Sequence, residues 1–523
     1  MALHDSQKMS SNLQNPLNGH AEQSEAEHFR TDHLLQNIGR RAVSGGFVTF
    51  GAQSAKFAMN LAAAAILARL LNPTDFGLVG MVLGVTVIVN VFKDLGLSKA
   101  TVQREHLTQQ QVSNLFWINV AFGGLLTAIC AGLAPLAAWF YRDARVAGIM
   151  LALSSIFVLT GSTVQHQALL SRQMRFPALA VIEVTSLAAG FISGCVLAWA
   201  GIGYWALVAQ QVITAACGLV MTWLVSRWRP HMPSLNSGVR PMVTFGAHLS
   251  LADLIVMFST GMDSILIGRF FGAVPLGLYT RAQVLLARPI QQVITPTNAV
   301  LIPVLSRLQS DPQRYRYSYM QAYGGLALIV FSFSAMCFAL AKPLVLVILG
   351  SKWTGVIPMF AGFALLAVSW PLGEICAWIY ESQGRGRDQL RNHTAAGVVT
   401  IVSYVIGLRW GPLGVVSVAA IMSLFVRLPI VYFIAGRSGA VRTRDLWMGF
   451  LSYLPCWGTV FLATATTERL LLNAPPIVQL IVCVPIGLSV GTALMLLFPR
   501  PRQSAFFAGG KIKSALRARF AAA

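Results

Sequence analysis

Hydrophobic runs of about 20 residues recur along almost the whole chain and are separated by short polar segments. Fourteen such runs can be counted, and each is long enough for an α-helix to cross a bilayer. They begin near Ala42, Phe76, Val112, Val146, Pro177, Gly203, Met242, Val274, Ser318, Gly355, Leu390, Pro412, Leu446 and Ile477. The pattern therefore predicts an all-α integral membrane protein with about 14 transmembrane helices.

Charge alternates from one predicted loop to the next. Basic residues gather in the terminal segments and in the loops on one side of the predicted membrane, whereas the loops on the other side carry few of them. Because short basic loops stay in the cytoplasm during insertion, both termini are predicted to be cytoplasmic. The same bias accounts for most of the net charge of +21. A nucleic-acid partner, which such a charge would otherwise favour, is therefore not expected.

The short loops and the cysteines limit the chemistry that the chain can perform. No predicted loop is long enough to form a soluble domain. The seven cysteines all fall within predicted spans without CxxC spacing, so neither disulfides nor metal ligands are predicted. A phosphate-binding GxxxxGKS or GxxxxGKT motif is also absent from the sequence. We therefore expect a protein that has no cofactor, is not an enzyme and acts within the membrane.

A repeat divides the predicted membrane region into two halves. The sequence FVTFGA at residues 47–52 recurs as MVTFGA at 242–247, and ILARLLNPTDFGL at 66–78 recurs as ILIGRFFGAVPLGL at 265–278. The second alignment pairs Gly77 with Gly277. Six spans in each repeat give two halves of the same orientation, a plan that in transporters places the substrate site between the halves. The last two spans fall outside the repeat.

These boundaries predict five regions. Residues 1–40 form a disordered cytoplasmic tail, because they are polar and poor in apolar residues, and residues 500–523 form a basic cytoplasmic tail. Residues 41–235 and 236–440 form two parallel six-helix bundles, which we call the N-half and the C-half. Residues 441–499 form an extra pair of transmembrane helices.

Five segments carry a resemblance to a known family. They are ARLLNPTDFGLVGM (68–81), ALLSRQMRF (168–176), GIGYWALV (201–208), DSILIGRFFGAVPLGLYTRAQ (263–283) and IPVLSRLQSDPQRYR (302–316). In these segments the chain resembles the oligosaccharide flippases for lipopolysaccharide and exopolysaccharide, the polysaccharide-transporter branch of the multidrug/oligosaccharidyl-lipid/polysaccharide exporter superfamily.

The resemblance implies a function in polysaccharide biosynthesis. It implies translocation of undecaprenyl-diphosphate-linked oligosaccharide units from the cytoplasmic to the periplasmic leaflet of a bacterial inner membrane by alternating access. The implied partners are the lipid-linked oligosaccharide and membrane lipids, with a polysaccharide polymerase and export machinery as further candidates. A multidrug or small-molecule exporter of the same superfamily is the alternative, because one fold can host several functions. A membrane polysaccharide polymerase is less favoured, since no outer loop is long enough for a catalytic domain.

Cations at membrane depth are the first residues expected to contact a diphosphate, because each such charge costs about 2.5 to 3.5 kcal/mol. Lys56 and Arg288 lie near the middle of spans one and eight, and Arg281 shares a helical face with Arg288. Arg69 and Arg269 end spans one and seven at equivalent repeat positions. We predict diphosphate binding by these five side chains. For Lys56 and Arg288 the alternative is a structural ion pair. Arg281 could instead snorkel to the interface, and the remaining two could cap helix-end carbonyls.

Acidic residues at membrane depth are the candidates for ion coupling. Asp253 in span seven is the first choice because it lies near mid-depth, and Asp263 and Glu374 are further candidates. Protonation of an unpaired acid can follow the opening of a cavity, since burial disfavours its charged form. A simpler expectation for Asp263 is a nearby arginine partner. For Glu374 it is a backbone amide freed by Pro371.

Overall fold

The computed structural model describes residues 38–90, 96–104, 107–234, 259 and 261–497, and within these ranges the regular structure is entirely helical. In the described part of the chain, nine helices are long and apolar enough to cross a membrane. One of these stretches, Gly386–Gly436, is 51 residues long. The all-α membrane fold is therefore confirmed. Most of predicted span seven lies outside the described residues, so the count of fourteen and the division into bundles stay predictions.

The N-half contains eight described helices. They are α1 (Ile38–Leu70), α2 (Pro73–Asn90), α3 (Leu97–Gln103), α4 (Gln109–Tyr141), α5 (Arg145–Gly161), α6 (Val164–Arg172), α7 (Phe176–Trp199) and α8 (Trp205–Ser226). Local sequence explains where they begin. Thr108, for example, caps α4 by accepting the Gln111 N–H at 3.2 Å, and the Gln111 side chain accepts the Thr108 N–H in return.

The C-half and the terminal pair supply the remaining described helices. They are α9 (261–271), α10 (Ala273–Arg307), α11 (Pro312–Ala339), α12 (Ala341–Ile348), α13 (Val356–Ala367), α14 (Trp370–Ser382), α15 (Gly386–Gly407), α16 (Gly411–Met422), α17 (Leu428–Gly436), α18 (Thr443–Leu470) and α19 (Pro476–Leu497). Gly272 separates α9 from α10 with a φ of 83°, a value that glycine adopts without a steric penalty.

Two segments of the C-half interrupt the α-helical structure, and a third carries prolines without interruption. The break between α13 and α14 lies just before Pro371, as the sequence predicts. A π-helical turn, Ser423–Arg427, separates α16 from α17. Helix α10 runs for 35 residues with Pro289, Pro296 and Pro303 inside it.

The two halves meet along α2 and α10, which pack against each other. On the N-half side, α7 packs against both α1 and α8. On the C-half side, α18 packs against α11, and α19 packs against α18 and α12. The terminal pair is therefore attached to the C-half, away from the α2–α10 contact.

Candidate functional site

A cavity of about 720 Å³ lies beside the α2–α10 contact. Helices α1, α2, α9 and α10 all contribute to its wall, and α5, α7 and α8 complete it. The volume falls within the range of small-molecule sites. The polar side chains in the wall are Asn60, Thr160, Gln210, Gln211, Thr214, Ser264, Thr280, Arg281, Gln283, Arg288 and Gln292.

The only charged side chains among the described lining residues are the two arginines of α10. The guanidinium carbon of Arg281 lies 4.3 Å from the centroid of the Phe76 ring, and its Nε is buried without a hydrogen-bond partner in the described part of the chain. Arg288 lies two turns further along and is exposed. Because residues seven apart share a helical face, both point to the same side of α10. The site is therefore cationic.

Lys56 is not among the residues that line this cavity. Its Nζ lies 2.5 Å from Oε2 of Glu183 on α7, and the two side chains are 21% and 50% exposed. One turn along α1, Asn60 donates to the Lys56 carbonyl oxygen at 2.8 Å and does line the cavity. In this structure Lys56 thus forms the interhelical ion pair that the sequence leaves open as its alternative role.

Arg69 and Arg269 also lie outside the cavity wall. Arg69 donates from Nη2 to the carbonyl oxygen of Val347 at 2.9 Å, so it caps a carbonyl of the C-half. The guanidinium carbon of Arg269 lies 5.5 Å from the centroid of the Phe140 ring. Each arginine therefore contacts the opposite half, and neither contact is the predicted one with a ligand.

Asp263 lies directly behind the cavity wall and is 1% exposed. Its carboxylate accepts hydrogen bonds from the Tyr279 hydroxyl at 2.9 Å, the Gln283 amide at 3.2 Å and the Ser264 N–H at 2.6 Å. The expectation of an arginine partner is wrong for the described residues, because polar donors from α9 and α10 take that place. Two of these donors, Ser264 and Gln283, line the cavity.

Glu374 lies on α14 and is bonded by a side chain of α10. The Asn298 amide donates to Glu374 Oε2 at 2.9 Å, and the Trp378 indole N–H donates to Asn298 Oδ1 at 2.6 Å. The expected backbone amide freed by Pro371 is thus replaced by a side-chain amide, which a tertiary contact supplies. Asp253, the first choice for ion coupling, lies outside the described residues.

One end of the cavity is closed by contacts between the halves, and we call this the closed end (Ala68, Arg69, Gly77, Ala273, Gly277 and Trp353). A Cβ on Gly77 would lie 1.7 Å from the Ala273 carbonyl oxygen, and one on Gly277 would lie 1.9 Å from that of Pro73. The repeat alignment pairs the two glycines with each other and Pro73 with Ala273. Each half therefore places its glycine against the same repeat position of the other half.

Trp353 completes the closed end. It is 0% exposed and donates its indole N–H to the Ala68 carbonyl oxygen at 2.8 Å. No pattern in the sequence distinguishes Trp353 or Phe76 as a functional residue. Phe76 lies within a segment that carries the family resemblance, but its contacts depend on residues more than 200 positions away.

The sequence matches the family described as polysaccharide biosynthesis protein over residues 66–358, which is more than half of the chain. The chain therefore belongs to this family. It is similar to the lipopolysaccharide biosynthesis protein WzxC of Escherichia coli (strain K12), with 23% identity over 75% of this chain and 81% of WzxC. It is also 25% identical to the teichuronic acid biosynthesis protein TuaB of Bacillus subtilis (strain 168), over 58% of this chain and 63% of TuaB.

A further relative is the succinoglycan biosynthesis transport protein ExoT of Rhizobium meliloti (strain 1021), with 27% identity over 59% of this chain and 63% of ExoT. The matches to TuaB and ExoT thus span less than two thirds of those proteins. Among solved structures, the lipid II flippase MurJ in an inward closed conformation has a TM-score of 0.67 at 13% identity, over 86% of this chain and 98% of MurJ.

The fold is also shared with multidrug exporters. An inward-facing multidrug resistance MATE family transporter of the MOP superfamily has a TM-score of 0.53 at 14% identity, over 77% of this chain and 95% of that transporter. At such low identities the likeness shows the fold alone. The protein is a multi-pass membrane protein of the polysaccharide biosynthesis family. It shares its fold with the MurJ flippase and the MATE family transporter.

Proposed function

We propose that the protein translocates an undecaprenyl-diphosphate-linked oligosaccharide from the cytoplasmic to the periplasmic leaflet of a bacterial inner membrane by alternating access. The printed names of its relatives, which include a succinoglycan biosynthesis transport protein and a lipopolysaccharide biosynthesis protein, support a role in polysaccharide export. In this proposal the chain binds and moves its substrate without catalysing a covalent reaction.

The observation that carries the proposal is the charge of the cavity wall. Arg281 and Arg288 face the cavity, and no acidic residue is among its described lining residues. Neither arginine forms an ion pair within the described part of the chain. Unpaired cations at membrane depth are costly unless they serve a ligand, and arginine is well suited to phosphate oxygens. A diphosphate supplies the missing negative charge.

The orientation of the closed end follows from the loop charges. With both termini in the cytoplasm, α1 runs outward and ends at the periplasmic face. The closed end then faces the periplasm, which corresponds to a state that receives substrate from the cytoplasmic leaflet. Arg69 and Arg269 lie at this end, and in our proposal they contact the diphosphate only after the two halves have separated there.

Lys56 has two candidate roles in this scheme. Its pair with Glu183 holds α1 against α7, and a partly exposed pair of this kind is worth about 0.2–1 kcal/mol. Because that energy is small, a diphosphate could also draw Lys56 away from Glu183, and the lysine would then act as a ligand. Asn60, one turn away on α1, lines the cavity wall and supports this second role.

For ion coupling we propose that Asp253, Asp263 or Glu374 exchanges a cation with the two sides of the membrane. Of the two described acids, Asp263 is nearer to the substrate, because two of its hydrogen-bond donors line the cavity. Its three described partners all donate, so gain of a proton by the carboxylate would require at least one of these hydrogen bonds to break or to reverse its direction. Such a rearrangement would reach the cavity wall through Ser264 or Gln283.

The alternative is export of drugs or other small molecules, which the fold likeness to a multidrug transporter leaves open. Cationic drugs require acidic residues in the cavity, and this wall carries arginines. The distinguishing experiment is deletion of the gene followed by analysis of lipid-linked oligosaccharides. Accumulation on the cytoplasmic leaflet, reversed by the unsubstituted gene and not by one encoding Arg288→Glu, supports the flippase. Normal intermediates with increased drug sensitivity would support the exporter.

A further inference from the structure

Phe76 lies between the cavity and the closed end, and it contacts both. Its side chain is 5% exposed and lines the cavity. The centroid of its ring lies 4.3 Å from the guanidinium carbon of Arg281. The same ring meets Trp353 edge to face, with centroids 5.3 Å apart and planes at 70°. One aromatic side chain therefore touches both a cation of the cavity and a residue of the closed end.

These contacts alternate between the two halves of the protein. Arg281 and Trp353 belong to the C-half, whereas Phe76 and Ala68 belong to the N-half. Trp353 continues the series by donating its indole N–H to the Ala68 carbonyl oxygen. Separation of the halves at the closed end must break every one of these contacts. Their strength therefore contributes to the stability of the closed state.

Arg281 has hydrogen-bonding capacity that its present contact does not use. Its Nε is buried without a hydrogen-bond partner among the described residues, and its guanidinium lies over an aromatic ring. A guanidinium forms charge-assisted, often bidentate hydrogen bonds with phosphate, which are stronger than its attraction to a ring face. A phosphate group in the cavity would therefore compete with Phe76 for Arg281.

We propose that Phe76 couples occupancy of the cavity by a phosphate-bearing ligand to release of the closed end. When Arg281 turns toward the phosphate, Phe76 loses its cationic neighbour and its packing against Trp353 weakens. The inference rests on the proposed function, since it assigns the step that follows binding at the same site. Because linkage is reciprocal, the phosphate binds more tightly to the state in which the closed end has separated.

The test uses the full-length protein in lipid nanodiscs with inorganic pyrophosphate as the probe. Spin labels are attached at Asn72→Cys and Lys352→Cys, two exposed positions at the closed end, one in each half. The two half-buried cysteines, Cys195 and Cys217, are replaced by serine in every sample. Double electron–electron resonance gives the ratio of separated to closed molecules, and calorimetry gives pyrophosphate binding.

The expected results separate coupling from binding. Pyrophosphate should raise the ratio of separated to closed molecules in the otherwise unsubstituted protein. Phe76→Leu should raise that ratio about 2- to 30-fold without pyrophosphate, the range that a cation–π contact can supply. It should retain pyrophosphate binding but show little further response. Phe433→Leu removes an exposed aromatic ring on α17, outside the cavity wall, and is the matched control, with a normal ratio and response.

Two outcomes would count against different parts of the account. A Phe76→Leu protein with an unchanged ratio and a full response to pyrophosphate overturns the coupling. Failure of the otherwise unsubstituted protein to bind pyrophosphate contradicts the proposed diphosphate site, while the ratio in Phe76→Leu without pyrophosphate still decides the role of Phe76. If Phe76→Leu does not fold, Trp353→Phe removes the indole hydrogen bond and must raise the ratio, and an unchanged ratio there also overturns the proposal.

Discussion

Gly77 and Ala273 meet backbone to backbone, since a Cβ on Gly77 would lie 1.7 Å from the Ala273 carbonyl oxygen. The reciprocal contact joins Gly277 to Pro73, at 1.9 Å from the corresponding Cβ position. The two contacts across the closed end thus involve the same two repeat positions in each half. The approach of the two halves at this end depends on the absence of two side chains.

Gly77→Ala should prevent full closure. A methyl group cannot occupy the space next to a carbonyl oxygen, so the halves must separate or the helices must shift, at a cost of about 1–3 kcal/mol. We expect the closed state to be depleted in resonance distance measurements across the closed end and export to fall. Gly124→Ala on α4, where nothing lies within 4 Å, is the control and should leave both unchanged. A closed-state population equal to that of the unsubstituted protein would show that α2 and α10 can adjust.

Exchange of Lys56 and Glu183 should reveal which role the lysine performs. Lys56→Glu alone places two carboxylates together and should lower both thermal stability and export. Combination with Glu183→Lys restores the ion pair in reverse. Because Lys56 is not part of the cavity wall, we expect the double variant to recover export of surface polysaccharide. Recovery of stability without export would instead identify Lys56 as a substrate ligand.

The sequence predicts that the two arginines of α10 act on the same side of the helix, because a spacing of seven residues fixes a shared helical face before any tertiary contact is known. It does not predict the partner of Lys56, which is 127 residues away in the chain. Nor does it predict the donors around Asp263, although Tyr279 and Gln283 are close in sequence. Charge considerations favour an arginine there, and only packing shows that neutral donors fill the space.

Asp263→Asn should separate substrate binding from ion coupling. An asparagine keeps one acceptor oxygen but turns an NH2 group toward described donors, so Tyr279 or Gln283 must reorient to accept, or a hydrogen bond is lost at a cost of about 1–3 kcal/mol. We expect retained pyrophosphate binding and lost dependence of flipping on an imposed proton gradient. Tyr279→Phe keeps the carboxylate and should preserve that dependence. If the gradient still drives flipping in Asp263→Asn, coupling belongs to Asp253 or Glu374, and the corresponding asparagine and glutamine variants decide between them.

In our proposal, Arg281 and Arg288 bind the diphosphate of a lipid-linked oligosaccharide inside the cavity. The most direct measurement is flipping of such a lipid in reconstituted vesicles by the unsubstituted protein, Arg281→Glu and Arg288→Glu. Each variant is first shown to insert and unfold like the unsubstituted protein. A carboxylate would repel the phosphates in a poorly screened cavity, so both variants should fall to the rate of protein-free vesicles. Flipping at the unsubstituted rate by both would contradict the cationic site.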